Sequence, residues 1–187
     1  MNYFETIKCN DNEIFNVEYH EKRIAKTIGK NFNLREYIYP INNDLLRCKV
    51  IYNEDEIIDV SYTPYSTKTI RNFQLIYDDL IEYNFKYQNR EYITKLFEKK
   101  KNADEIIIIK NNFVTDTSIA NIAIYLEDQW FTPKKPLLVG TTRARYLDQI
   151  LIKEREISVE MLQKAEKIAL LNAMIDFKVI DEYTLLV

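Results

Sequence analysis

The chain has 187 residues, 47% of them hydrophobic and 29% charged, which allows one sizeable core or two smaller lobes and excludes a disordered chain. A formal net charge of −3 argues against nucleic-acid binding, because backbone phosphates call for a basic face. With one histidine there is no material for a multi-histidine metal centre or a serine-type triad, so no metal is expected.

From the N-terminus, Tyr3 to Cys9 alternates as a strand and ends at the turn-forming Asn10-Asp11-Asn12, after which Glu13 to Val17 reads as its return strand. Ile24, Ile28 and Phe32 at helical spacing predict an amphipathic helix over Tyr19 to Phe32. Leu45 to Tyr52, Ile57 to Thr63 and Thr69 to Ile76 follow as strands. Tyr83-Asn84-Phe85-Lys86-Tyr87 reads as extended, with three aromatics on one face and Asn84 and Lys86 on the other. A helix is predicted over Arg90 to Lys101, then a buried strand over Glu105 to Ile109. An antiparallel set follows through Phe113 to Asp116, Asn121 to Leu126 and Gln129 to Thr132. Gly140-Thr141-Thr142-Arg143 opens a helix expected to reach Glu154, and Ser158 caps a short one with Met161 and Leu162 inward. Lys167 to Ala173 and Phe177 to Val187 close the chain as strands. Two lobes are expected, 1–80 as a shortened N-terminal α/β lobe and 81–187 as a second.

Two glycines leave tight turns to Asn and Asp. Cys9 and Cys48 lack metal or redox spacing; their number leaves a single disulfide open, and a reduced cytoplasmic pair is the plainer reading. No run is apolar for long enough to cross a bilayer, and Met1-Asn2-Tyr3-Phe4-Glu5 has neither the basic region nor the apolar run of a secretion signal. A cytoplasmic protein with no membrane partner is the expectation.

Four places carry candidate chemistry. Gly140-Thr141-Thr142-Arg143 offers hydroxyls and helix N-terminal N–H groups to a phosphate, although a glycine and a polar cap also simply begin a helix. Lys86 is set among Tyr83, Phe85 and Tyr87, where desolvation would free its amine as a nucleophile; shielding of a sheet edge is the plainer use. Asp116 ends a strand, where it either caps a turn or pairs with a protonated heterocycle. Arg23 reads most simply as a surface charge.

Taken in order, these pieces resemble the class IV aminotransferases, and within them the aminodeoxychorismate lyase branch. Phe4-Glu5-Thr6 is similar to the family's Phe-Glu-Thr, and His20-Glu21-Lys22-Arg23 to its His-x-x-Arg. Lys86-Tyr87-Gln88-Asn89-Arg90 resembles Lys-x-x-Asn-Arg, and Val114 through Asn121 resembles Val-Thr-Glu-x-x-x-x-Asn with Asp116 at the acidic position. Thr132-Pro133, Leu137 through Arg143 and Asn172-Ala173-Met174 complete the pattern. The resemblance implies an α+β, two-lobed fold with pyridoxal 5'-phosphate between the lobes and a homodimer acting on a small molecule. Lys86 would then hold the cofactor aldehyde, Asp116 the ring nitrogen, and Arg23, Thr141, Thr142 and Asn172 the phosphate. The activity implied is elimination of pyruvate from 4-amino-4-deoxychorismate to give 4-aminobenzoate for folate. The rivals are a branched-chain or D-amino acid aminotransferase and a non-catalytic relic. Three departures stand out: the chain begins almost at Phe-Glu-Thr, Asp116 is one methylene shorter than Glu, and Thr63 to Ile81 has no clear counterpart.

Overall fold

Three hairpin turns are made without glycine in the computed structural model, which describes residues 1–186: Asp11-Asn12, Asn111-Asn112 and Glu127-Asp128 each place two successive residues at positive φ. Such pairs give a two-residue loop the twist its strands require, and Asn and Asp adopt them at the least cost after glycine. The expectation that turns lean on these residues holds.

The chain forms two compact units, Met1–Thr67 with Phe85–Asn89, and Lys68–Asn84 with the chain from Arg90 onward. The sequence suggests a single division, 1–80 and 81–187; in the structure the units interleave. Phe85–Asn89 returns to the first unit because the Phe4 N–H bonds to the Lys86 carbonyl (2.9 Å) and the Gln88 N–H to the Asn2 carbonyl (3.0 Å).

The first unit contains β1 (Tyr3–Asn10), β2 (Glu13–Ile14), α1 (Val17–Ile28), a single 3-10 turn at Leu34–Glu36, β3 (Leu46–Tyr52) and β4 (Ile57–Pro64). Its antiparallel sheet runs β2-β1-β3-β4. The register sets Tyr3, Glu5, Ile7 and Cys9 opposite Tyr52, Val50, Cys48 and Leu46, so one face of the sheet is a buried row. Val17, His20 and Ile24 are the buried residues of α1, and Val17 and Ile24 join that core. Cys9 and Cys48 are both buried and not joined to each other. The return strand expected to reach Val17 stops at Ile14, because Asn16 (φ 51) turns the chain into α1. The helix ends at Ile28, short of Phe32. Gly29 (φ 73) returns its N–H to the Ala25 carbonyl at 2.8 Å, a left-handed stop.

The second unit begins with β5 (Asn72–Tyr77), α2 (Glu91–Glu98) and β6 (Glu105–Lys110), with β5 and β6 parallel. β7 (Phe113–Thr117), β8 (Asn121–Leu126) and β9 (Gln129–Pro133) continue antiparallel. After them come α3 (Thr141–Asp148), β10 (Lys153–Arg155), α4 (Val159–Lys164), β11 (Lys167–Asn172), β12 (Asp176–Ile180) and β13 (Thr184–Leu186). The sheet path is β10-β9-β8-β7-β6-β5-β13, with β11 pairing β8 and β12. The sheet is therefore mixed rather than wholly antiparallel: β10 lies parallel to β9 and β13 parallel to β5. Ile107, Ile109, Ile122, Ile124, Ile168 and Leu170 fill one core, and Ala123, Ile152, Ala169 and Leu171 fill another. Each such large aliphatic contributes about 1.5–3 kcal/mol by leaving water.

The helix expected to reach Glu154 stops at Asp148. Ile150 takes the left-handed position (φ 59) that usually holds glycine, and the Leu151 N–H closes on the Tyr146 carbonyl at 3.0 Å. That frees Lys153–Arg155 to pair with β9. Ser158 caps α4 as expected, accepting from the Met161 N–H, with Leu162 fully buried. Val187, the expected end of the last strand, lies outside the described residues. The chain is an α+β protein, as the sequence predicts. No helix among the described residues is long and apolar enough to cross a membrane.

Candidate active site

Lys86 stands at the apex of a three-residue turn, closed by the Tyr87 N–H to the Phe85 carbonyl at 2.9 Å. This turn is why the extended segment expected over Tyr83 to Tyr87 does not form; only an isolated pairing of Tyr3 with Tyr87 remains, and Tyr83 belongs to the second unit. Two of the three aromatics still cluster. Phe85 and Tyr87 meet Tyr3 with ring centroids 6.0 and 5.6 Å away. The half-buried Lys86 side chain departs from that cluster and sets its Nζ 4.7 Å over the Phe4 ring.

In the same unit a carboxylate sits inside the apolar row of β1. Glu5 is 0% exposed, and its Oε1 accepts from Arg23 Nε at 2.8 Å. Its Oε2 accepts from His20 Nδ1 at 2.6 Å and from Arg23 Nη2. His20 and Arg23 are three residues apart on α1, and so share a face. Burial alone would push the Glu5 carboxyl up, but the Arg23 charge and the His20 hydrogen bond hold it at about 2. Burial keeps the His20 ring below its ordinary value; Glu5 pulls the other way, and the Arg23 and Lys86 charges add to the lowering. His20 is therefore neutral, with Nδ1–H donating to Glu5. Arg23 is not the surface charge of the simplest sequence reading: its side chain is 12% exposed and ion-paired.

The second unit presents the other candidates. Asp116 is buried on β7, opposite Asn121 of β8. Its Oδ1 accepts from Asn121 Nδ2 at 2.6 Å and its Oδ2 from the Leu138 N–H at 2.9 Å. Asn121 also donates to the Leu138 carbonyl at 2.8 Å, which ties the strand pair to the segment leading into α3. Burial pushes the Asp116 carboxyl up to about 7, against the opposing pull of the Leu138 N–H and the Asn121 amide. Asp116 forms no ion pair among the described residues.

Gly140 precedes α3 in an extended conformation (φ −73, ψ 145), so it is not needed there for a left-handed turn. It is needed for space: a Cβ at this position would run into the Asn121 side chain. Thr141 and Thr142 follow, both buried in the first turn of α3, and their hydroxyls make no hydrogen bond among the described residues. With the unpaired N–H groups of that turn they form a set of donors suited to an anion. Arg143 has another task. Its Nη2 donates to the Pro133 carbonyl at 2.8 Å and to Glu154 Oε1 at 2.6 Å, which fastens α3 to β9 and β10.

Asn172 ends β11. Its Oδ1 accepts from the Met174 and Ile175 N–H groups at 2.9 and 3.1 Å, and its Nδ2 donates to the Ile119 carbonyl at 3.3 Å. It thereby supports the turn after Asp116, which is braced further by buried Glu105, accepting from the Ser118 N–H at 3.2 Å, and by Arg90, donating to the Ser118 carbonyl. The structure thus gathers Lys86 with Arg23 in one unit and Asp116, Thr141, Thr142 and Asn172 in the other. Sequence reasoning missed Glu5, Asn121 and Glu105 as working side chains. A lone acid in the alternating row Tyr3, Glu5, Ile7, Cys9 is the signal that could have found the first. No group of three or more side chains suited to a metal ion is present among the described residues.

Residues 83–182 match the family described as amino-transferase class IV. The chain is 38% identical over 182 residues to an uncharacterized protein of Haemophilus influenzae, a match that covers 91% of this chain and 96% of the relative. The crystal structure of a proposed 4-amino-4-deoxychorismate lyase from Haemophilus somnus is similar, with a TM-score of 0.86, 35% identity and coverage of 92% and 96%. A hypothetical aminotransferase from Mycobacterium tuberculosis, in its pyridoxal-phosphate-bound form, shares the fold at a TM-score of 0.79 and 15% identity over 98% of this chain and 81% of its own. The chain belongs to the class IV aminotransferase family.

Proposed function

We propose that this protein binds pyridoxal 5'-phosphate and acts as a 4-amino-4-deoxychorismate lyase, releasing pyruvate and 4-aminobenzoate. The observation that carries the cofactor assignment is Asp116: a buried carboxylate that accepts hydrogen bonds from the neutral Asn121 amide and Leu138 N–H, and which a cationic ring N–H would complete. The hydroxyls of Thr141 and Thr142 at the start of α3 suit a phosphate, which Arg23 would also grip. Asn172 would add a donor through its amide nitrogen, whose 3.3 Å bond to Ile119 is the longest it makes. Lys86 would hold the aldehyde.

When bound, the cofactor supplies an electron sink that makes the carbon bearing the substrate amine acidic. Asp116 would keep that sink effective by holding the ring nitrogen protonated. The Lys86 amine, free once the substrate is bound, would take the proton from that carbon. The carbon–oxygen bond to the enolpyruvyl group then breaks, the ring becomes aromatic, and the departing enol becomes pyruvate. The similarity to the Haemophilus somnus protein and the Lys86-x-x-Asn89-Arg90 and Asn172-Ala173-Met174 elements support elimination over transfer.

The purified protein with added pyridoxal phosphate should be yellow, and borohydride followed by peptide mapping should fix the cofactor on Lys86. Lys86→Ala should abolish the adduct. A colourless wild type, or an adduct unaffected by that substitution, refutes the cofactor assignment. Release of pyruvate and 4-aminobenzoate with no keto acid present supports the lyase; an absolute requirement for a keto-acid acceptor overturns it in favour of an aminotransferase.

A further inference from the structure

We infer that Glu5 is a positioning residue for anion recognition: it fixes the plane of the Arg23 guanidinium and the tautomer of His20, and so sets how Arg23 meets the cofactor phosphate. The inference rests on the proposed function for the identity of the anion. The arrangement that motivates it does not.

Glu5 occupies a position where the fold alone favours a hydrocarbon. Its neighbours in the row, Tyr3, Ile7 and Cys9, are apolar and buried, as are Val50 and Tyr52 across the strand pair. Burying a carboxylate there costs several kcal/mol before pairing, and apolar replacements of buried ion pairs are often neutral or stabilising. Stability therefore gives little reason for an acid at this place. Its geometry gives a better one. An arginine side chain has many rotamers, and a guanidinium grips an oxyanion well only when its plane is set. Glu5 engages Arg23 side-on, through Nε and Nη2, which fixes that plane from one edge. The remaining acceptor capacity of Oε2 takes the His20 Nδ1–H. A neutral ring that donates from Nδ1 has a lone pair at Nε2, so His20 adds no positive charge beside Arg23 and Lys86. The device holds one cation in a fixed orientation and fixes which ring nitrogen of His20 carries the proton.

Glu5→Gln tests this. Gln keeps the shape but offers one acceptor oxygen, so it cannot hold the fork of Arg23 and the His20 N–H together. Affinity is measured for pyridoxal 5'-phosphate and for pyridoxal, which has the aldehyde and ring but no phosphate. The expected result is that Glu5→Gln weakens the phosphorylated ligand on the order of tenfold, the worth of a charge-assisted hydrogen bond, and leaves pyridoxal unchanged. Equal weakening of both ligands would mean a merely structural role and overturns the inference, as does no change in either. A wild type that binds neither ligand refutes the proposed function as well.

A second measurement needs no variant. His20 is the only histidine, so imidazole nitrogen-15 spectra of the cofactor-free wild type show one ring. A neutral Nδ1–H tautomer agrees with the inference. The commoner Nε2–H tautomer would mean that Glu5 is not held as described, and sinks it.

Discussion

Glu5 and Asp116 are both carboxylates shut away from water, one in each unit, and their acidities move in opposite directions. Burial pushes both upward. At Glu5 it is overcome by a guanidinium and an imidazole N–H, and the group stays ionised down to about 2. At Asp116 the main holders are a main-chain N–H and a side-chain amide, with the Arg143 charge a smaller pull in the same direction, and the group rises to about 7. Dipoles offset only part of the cost of a desolvated charge, whereas a neighbouring cation offsets most of it. The contrast separates a carboxylate ion-paired within the chain from one that makes no ion pair among the described residues and that a cation would complete. Under the proposed function that cation comes with the cofactor ring.

The largest expected effect breaks the first half of the comparison. Glu5→Ala leaves Arg23 and His20 without their acceptor and should cost about 3–5 kcal/mol of stability, the usual penalty for removing one partner of a buried pair. Urea denaturation reads it, and a loss below about 1 kcal/mol would show that the cluster opens to water without penalty. Asp116→Asn addresses the second half. It keeps a polar group between Asn121 and Leu138 but no longer offers an anion to a ring N–H. Turnover should fall on the order of a hundredfold, roughly 2.7 kcal/mol, while stability drops less than in Glu5→Ala. Turnover within a factor of two of wild type would remove Asp116 from the chemistry.

Much of the frame was legible in the sequence. Alternation marked β1; the apolar Glu105 to Ile109 run marked a buried strand; Ser158 marked its helix. The misreadings have physical causes. Asn16, Gly29 and Ile150 end or begin elements through left-handed backbone, and Ile150 belongs to a type that carries no stop signal. The turn at Lys86 comes from main-chain pairing with β1, which a five-residue alternation cannot report. Within the site, residue types were readable and partnerships were not. Asp116 stood out as an acid at a strand end, but that Asn121 and Leu138 hold it depends on a contact across the strand pair and on a segment 22 residues later in the chain.

Gly140→Ala sharpens the same half of the comparison with a smaller effect. The new Cβ collides with the Asn121 side chain, so the donor that steadies Asp116 must move. A stability loss of about 1–3 kcal/mol is expected from such overpacking, together with a weaker hold on pyridoxal phosphate. Gly29→Ala is the control, since nothing lies within 4 Å of its added Cβ and its cost comes only from the left-handed backbone, about 1 kcal/mol. It should leave cofactor affinity unchanged. Similar losses of affinity in both variants would mean that loosened folding, and not the position of Asn121, is being read.

The smallest effect is a slope. In the folded protein Asp116 titrates near 7 against an ordinary 3.8, so the folded state binds the extra proton and stability must fall as pH rises between those values. Glu5 has the opposite sign. Its folded value of about 2 lies below an ordinary 4.5, so its contribution is complete above that pH and is lost only as pH falls toward 2. Between pH 5 and 8, then, Glu5 adds a constant and Asp116 a decline, on the order of 1 kcal/mol once local relaxation is allowed for. Urea midpoints of the cofactor-free protein across that range should decrease with pH in the wild type and lose that part of the decrease in Asp116→Asn. Pyridoxal phosphate should remove the same part of the slope, because a ring N–H cation keeps the carboxylate ionised throughout. A slope that Asp116→Asn leaves untouched would belong to other groups, and the two carboxylates would then not differ in the direction of their acidities.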